Sequence, residues 1–262
     1  MDITLTQNLH THTPRCHHAD GTERDYIENA IAGGLCLFGF SDHSPCAFRG
    51  EYYSGFRMAR EAQDDYVDVL LSLREEYKDR IDIKIGYEME YYPALFSDTT
   101  KLLTSREIDY VILGQHFTNN ETDGFFCGDA TEDEGRLALY VDQVIEAVDT
   151  GFFTYIAHPD NLNFVGDEKI YVKHYTRLIE HAKKAGIPLE INFLGIRWHR
   201  HYPTDKFFRL VGEIGAPVCC GCDAHSPADS ADFASFAIAK EMIEKYGLKY
   251  IASPELKKPR EM

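Results

Sequence analysis

Short runs of apolar, β-branched and aromatic residues alternate along this chain with longer stretches whose apolar positions recur at helical spacing. Seven short runs, at 3–8, 35–41, 81–88, 108–114, 152–157, 188–192 and 217–222, are nearly continuous in their apolar character. That pattern suits strands covered on both faces, as in a parallel sheet. Between them, 24–32, 58–77, 132–149, 170–185, 206–214 and 233–246 read as amphipathic helices. Gly33, Gly151, Gly186, Gly215 and Gly247 stand just past the last periodic residue, the usual helix stop. Strand and helix alternating about seven times predicts an α/β fold with a parallel sheet, closed or doubly wound.

No linker or low-complexity tract interrupts the pattern, so 1–262 reads as a single domain. An α/β barrel commonly fills about 250 residues. Residues 47–57 read as an irregular loop rich in aromatics and glycine, and the charged tail 255–262 reads as frayed.

Composition adds exclusions. A hydrophobic fraction of 44% and a charged fraction of 27% are ordinary for a globular protein. The formal charge of -16, with no basic run, argues against duplex nucleic acid as a partner, because that binding rests on Lys and Arg neutralising phosphates. It leaves room for a small phosphorylated substrate, since bound metals reverse the local field. The seven cysteines are scattered through apolar runs and read as buried reduced thiols. The start of the chain lacks the pattern of a signal peptide, and no apolar run approaches a membrane span. The expectation is a cytoplasmic protein without membrane contact; oligomeric state is not legible.

The chemistry lies in where the histidines and acids fall. His10 and His12 follow the first strand, Asp42 and His43 the second, and Glu88 closes the third. His116 follows the fourth, His158 the fifth, Glu190 and Asn192 lie in the sixth, and Asp223 and His225 follow the seventh. In a barrel these strand ends converge on one face, where barrel active sites are built. An H-x-H pair in extended chain points both imidazoles to one side. Mixed imidazole and carboxylate donors suit Zn, Mn or Fe rather than Ca. The donors exceed what one ion needs, so two or three divalent metals are expected, with Glu88 as the natural bridge because a carboxylate offers two oxygens.

Asn8-Leu9-His10-Thr11-His12-Thr13, Ser41-Asp42-His43-Ser44, Gly86-Tyr87-Glu88, Gly114-Gln115-His116, Ala157-His158-Pro159 and Cys222-Asp223-Ala224-His225 together resemble the polymerase and histidinol phosphatase (PHP) family. His12-Thr13-Pro14-Arg15-Cys16, and the stretch from Glu190 through Gly195-Ile196-Arg197 to Tyr202-Pro203, resemble its histidinol-phosphate phosphatase branch. The resemblance implies a distorted (β/α)7 TIM-like barrel with three metals. It assigns His10, His12, Glu88 and Asp223 to the first, Glu88, His116 and His158 to the second, and His18, His43 and His225 to the third. His18 is preferred over its neighbour His17. Unlike the branch, the stretch Asp160-Asn161-Leu162-Asn163-Phe164 after His158 carries no positive charge.

The implied reaction is hydrolysis of a small phosphate monoester, L-histidinol phosphate in histidine biosynthesis, by a metal-bridging hydroxide. Asp42, Glu88 and Asp223 are the candidate catalytic carboxylates, Asp42 as an orienter of the site or a proton donor to the leaving alkoxide. His43, His225 and Arg197 are candidates for holding the phosphate, Arg197 by a bidentate grip. Trp198, His199, Arg200 and His201 are candidates for a substrate rim. His174 and His181, seven apart on a helix, read as ordinary helix-face residues. The competing readings are a PHP enzyme acting on nucleotides or nucleic-acid ends, a metal-dependent amidohydrolase, and a non-enzymatic regulatory domain.

Overall fold

The apolar runs pair side by side in the order in which they occur. In this computed structural model, which describes residues 3–260, β1 (Gln7–Asn8), β2 (Leu37–Phe40), β3 (Asp82–Met89) and β4 (Tyr110–Leu113) form one parallel sheet in that order. A second parallel sheet holds β5 (Leu189–Asn192), β6 (Pro217–Gly221) and β7 (Lys249–Tyr250). Single-residue bridges join the two: Ile156 pairs with Leu113 on one side and Leu189 on the other, and Thr11 pairs with Ala224. The sheet thus curls into a distorted, TIM-like barrel of seven staves among the described residues, the fold class that the family resemblance implies.

The segment expected as the fifth strand, 152–157, occupies its place in the ring, but only Ile156 forms bridges. Thr154 N and Ala157 N donate to Val111 O and Leu113 O at 2.8 Å, and Ile156 N to Pro188 O at 3.0 Å. The ladder stops there because the chain turns sharply at His158, whose φ is 30°. The opposite seam also departs from a regular ladder. Cys222 N donates to the side-chain oxygen of Asn8 at 3.0 Å, and His12 N to Ala224 O at 2.9 Å. The short strand β7, which the sequence pattern does not announce, pairs with the start of β6 at Pro217 and Val218.

Among the described residues, eight helices pack around the barrel: α1 (Glu23–Ala32), α2 (Gln63–Tyr77), α3 (Phe96–Thr104), α4 (Glu134–Asp149), α5 (Glu168–Ala185), α6 (Phe193–Arg197), α7 (Asp205–Ile214) and α8 (Phe233–Tyr246). Six match the expected helices within a few residues. The largest shift is at α2, whose expected first residues form a separate turn at Arg60–Ala62. The sequence pattern does not reveal α3 and α6. Three threonines weaken the helical propensity of α3, and α6 is only five residues long. Side chains that meet the helices, such as Ile83, Ile85, Tyr87 and Met89 of β3, belong to the large core. A separate small cluster, built from Leu9, Tyr110, Ile112, Tyr155, Ala157 and Cys219, fills the barrel.

Period two then fixes the polar inner face. With Ile85, Tyr87 and Met89 outward, Glu88 and Glu90 point the other way; with Leu189 and Ile191 outward, so do Glu190 and Asn192. Two glycines on neighbouring staves make room for these carboxylates. A Cβ at Gly114 would lie 1.8 Å from Glu88 Oε1, and one at Gly221 would lie 1.9 Å from Glu190 Oε1. Among the described residues no helix is long and apolar enough to cross a membrane. The cysteines are free; Cys36 is exposed, against expectation, while Cys16, Cys46, Cys127, Cys219 and Cys222 are buried.

Candidate metal centre

Glu88 sits at the centre of the polar end, 1% exposed, and its two oxygens face different histidines. Oε2 lies 3.5 Å from both His10 Nε2 and His12 Nε2, and 3.0 Å from His43 Nδ1. Oε1 lies 2.8 Å from His158 Nε2 and 3.7 Å from His116 Nε2. Asp223 Oδ1 closes the first group, 3.5 Å from His10 Nε2 and 3.2 Å from His12 Nε2. His18, His43 and His225 gather beside it with their ring nitrogens within 4.8 Å of one another. His17, by contrast, turns outward and accepts from Tyr53 Oη at 2.9 Å.

Two observations show that these residues fit divalent ions. His10 Nε2, His12 Nε2, Glu88 Oε2 and Asp223 Oδ1 are buried yet have no hydrogen-bond partner. Left so, each would cost the desolvation of a polar group. The 3.2–3.5 Å separations among these atoms match the edge of a tetrahedron, about 3.3–3.4 Å for bonds of about 2.0–2.1 Å to zinc. His225 Nε2 and His43 Nδ1 are also buried and unpartnered, and His43 Nδ1 lies 3.0 Å from Glu88 Oε2. Two of the contributing residues hold left-handed backbone, His158 at φ 30° and Asp223 at φ 47°, strain of the kind that collects at functional sites.

Carboxylates behind the imidazoles fix their orientation. His10 Nδ1 lies 2.8 Å from Glu190 Oε1. Glu190 Oε2 also accepts from His158 N at 2.9 Å and from Asn192 Nδ2 at 2.8 Å. The Asn192 amide reaches on to Asp223 Oδ2 at 3.0 Å. His116 Nδ1 lies 2.9 Å from Glu90 Oε1. Asp42 is fully buried, accepts from Thr13 Oγ1 and from His43 N, and lies 3.5 Å from His12 Nδ1. It does not line the cavity, so of its two expected roles the placement fits the orienter and not the proton donor.

The electrostatics divide the histidines into two sets. Burial alone would lower the pKa of His10, but Asp223, Glu190 and Glu88 outweigh it and raise it to about 10. His12 is likewise raised, against burial, by Asp223 and Asp42. Burial lowers His43 to about 4 and lowers His18 and His225 as well, helped by the positive charge on His12. Glu88 is held well below the usual carboxylate range because the histidines around it overcome its burial.

A cavity of about 750 Å³ opens above this floor. Phe56, Phe117 and Phe126 line one part of its wall, and Leu194, Trp198 and Tyr202 another. Of the expected rim, Trp198, Arg200 and His201 line it and His199 does not. Arg197, expected to grip the phosphate, does not line the cavity. Its guanidinium donates to Asp232 at 2.8 Å and to the carbonyls of Cys222 and Asp223 at 3.2 Å, and pairs with Asp229 at 3.3 Å. It braces the loop that carries Asp223 rather than facing the cavity. The cation in the wall is Arg200, over the Trp198 ring at 5.2 Å, with no carboxylate of the described residues within ion-pair distance. Sequence reasoning missed Glu90 as a partner of His116; its signal was its place two residues after Glu88, on the same strand face. His174 and His181 lie on α5, paired with Glu134 at 3.0 Å and Asp149 at 2.7 Å, and do not line the cavity.

Comparison with known proteins bears on family and fold. A "Probable histidinol-phosphatase" of Deinococcus radiodurans is 28% identical over 231 residues, 84% of this chain and 86% of that protein. The "Histidinol-phosphatase" of Bacillus subtilis is 27% identical over 251 residues, 84% of this chain and 93% of that protein. The fold is similar to that of a histidinol phosphate phosphatase from Lactococcus lactis, solved with zinc, L-histidinol and phosphate. The TM-score is 0.72 at 21% identity, over 94% of this chain and 95% of that one. A putative histidinol phosphatase from Listeria monocytogenes gives a TM-score of 0.70 at 18% identity, over 88% of this chain and 99% of that one. The PHP domain matches residues 8–193, which carry every metal-centre residue named above except Asp223 and His225, and the chain belongs to the PHP domain family.

Proposed function

We propose that this chain is a metal-dependent phosphoric monoester hydrolase acting on histidinol phosphate, releasing histidinol and phosphate. The observation that carries the reaction class is the set of four unpartnered buried donors, His10, His12, Glu88 and Asp223, at the floor of a cavity wide enough for a small substrate. The relatives named histidinol-phosphatase support the choice of substrate.

His10, His12, Glu88 and Asp223 would hold one ion, Glu88, His116 and His158 a second, and His18, His43 and His225 a third. Divalent ions held there would lower the pKa of a bound water, supplying the nucleophile, and would neutralise charge on the phosphoryl oxygens. Glu190, Glu90 and Asp42 keep the imidazoles aimed. Arg200 attracts the phosphate at the wall, and the aromatic side chains receive the flat imidazole ring of the leaving group and exclude water from it. Those aromatic walls would also accept a nucleobase, which keeps a nucleotide phosphatase as the second reading.

Steady-state rates on histidinol phosphate, nucleoside monophosphates and short oligonucleotides, with Zn or Mn supplied, decide between them. Histidinol phosphate should show the highest kcat/KM. A nucleotide preferred tenfold or more would overturn the substrate, and no hydrolysis of any monoester would overturn the reaction class.

A further inference from the structure

Arg57 is 2% exposed, a full charge taken out of water. Such a charge is retained only where it is paired and hydrogen-bonded. Its Nη1 lies 2.7 Å from Glu90 Oε2, and its Nε and Nη2 lie 2.8 and 2.7 Å from Glu121 Oε2. Glu90 is buried too, and its other oxygen lies 2.9 Å from His116 Nδ1. The far nitrogen of that ring, Nε2, faces Glu88 Oε1. One chain of contacts therefore runs from a buried guanidinium through a carboxylate to an imidazole of the metal centre.

The same arginine organises the loop at the cavity mouth. The Phe56 ring lies 4.6 Å from the guanidinium carbon and meets the rings of His43 and His116 edge-on at 5.4 and 6.0 Å. Tyr52, on the same loop, donates to the second oxygen of Glu121 at 2.8 Å. The loop, the Glu121 segment and the end of β3 all meet on one guanidinium.

We infer that Arg57 is a positioning residue for the metal centre, acting through Glu90 on His116. With Arg57 in place, Glu90 presents a fixed acceptor to His116 Nδ1. The ring proton is held on Nδ1, and the lone pair of Nε2 is aimed at the shared position beside Glu88. Without the fork of Arg57, Glu90 is free to rotate, and His116 loses both its tautomer and its direction. This rests on the metal-dependent reading above, and on no assumption about the substrate.

The test is calorimetric titration of the metal-stripped full chain with Zn²⁺, for the wild type, Glu90→Gln, Arg57→Lys and the double variant. The wild type should fill two or three sites. Glu90→Gln and Arg57→Lys should each weaken one site by about 10- to 100-fold, the usual effect of losing a carboxylate behind a metal-bound histidine, and leave the others unchanged. The double variant should be no weaker than the worse single one, because the two act along one path. At saturating Zn²⁺ the kcat of Arg57→Lys should recover, which a misfolded protein would not allow. Should Arg57→Lys not fold, Glu121→Gln, which removes the charge on the other side of the fork, takes its place and should weaken the same site. Variants that fill every site with wild-type affinity, and lose only thermal stability, would make Arg57 a structural ion pair and overturn the inference. A wild type that takes up less than one ion per chain would overturn the metal reading itself.

Discussion

Gly114 contributes no donor atom, yet its substitution should disable the centre. In Gly114→Ala the new Cβ would stand 1.8 Å from Glu88 Oε1, 2.5 Å from its Cδ and 2.6 Å from its Cγ, where Cβ contacts under 3.0 Å essentially do not occur. Glu88 must retreat by at least 1.2 Å at Oε1 to relieve the clash. It has little freedom to do so, because histidine nitrogens stand 2.8–3.7 Å from its two oxygens on every side. A displacement of about 1 Å at a reacting centre costs on the order of a hundredfold in rate. As the proposed bridge, Glu88 would serve two ions at once, so both should bind more weakly. Gly114→Ala is therefore expected to lower kcat on histidinol phosphate by about 100-fold or more and to reduce bound metal to one ion per chain or fewer. Far-UV circular dichroism should stay near that of the wild type, since only a side chain is displaced. Elemental analysis and steady-state kinetics read the two effects together. A Gly114→Ala protein with wild-type metal content and kcat would show that Glu88 does not occupy the bridging position, and would refute the assignment of the floor.

The two arginines of the 197–200 segment should separate cleanly. Arg200→Ala is expected to lower kcat/KM by about 10- to 100-fold with unchanged metal content, the loss of charge-assisted hydrogen bonds of about 1.5–3 kcal/mol. Arg197→Ala should instead lower the melting temperature and loosen metal binding through the Asp223 loop, and the reverse pattern would restore Arg197 as the phosphate grip. Metal uptake should also be linked to pH. His10, at about 10 in the metal-free fold, holds a proton at neutral pH that ligation must expel, so affinity rises with pH. Titration calorimetry in buffers of different ionisation heat should find proton release. Because that pKa is raised above about 6.5, the same contact stabilises the metal-free fold fully below about pH 6.5 and is lost as pH rises through about 10. Release of no proton would contradict the charged state of His10.

The ring of staves and most of the floor are legible in the sequence for one physical reason. Chain position along a buried strand determines both the face and the end at which a side chain appears, so His10, His12, Glu88, His116, His158 and Asp223 could be placed together from periodicity. His18 is different: it lies off any strand, and its choice over His17 comes from the family resemblance. The structure adds that His17 faces Tyr53 while His18 faces His43 and His225. What stays illegible depends on which way a side chain turns after its element ends. Arg197 and Arg200 stand three apart about the end of α6, and only the fold shows that the first reaches back to Asp232 while the second lines the cavity. The stave at Ile156, bridged through that one residue on both sides, falls short for a related reason, since its apolar pattern promises a full strand and the left-handed turn at His158 ends it early. Arg57 and Glu90 read as an unremarkable loop cation and a strand acid until their burial is known.

The formal charge of -16 and an anionic substrate are reconciled at the floor itself. Glu88 and Asp223 are held ionised by the histidines around them, with Glu190 and Glu90 immediately behind. In the metal-free fold this negative charge is offset by protons on His10 and His12, and the cavity offers a phosphate little beyond Arg200. Divalent ions held there would displace those protons and outweigh the two carboxylates, so the field at the floor would reverse sign where the phosphoryl group must sit. Exposed carboxylates farther away are screened within a Debye length of about 8 Å at physiological salt and do not cancel that local attraction. The residues that make the chain acidic at its centre are thus the ones that gather the positive charge needed there, and phosphate binding becomes contingent on metal binding.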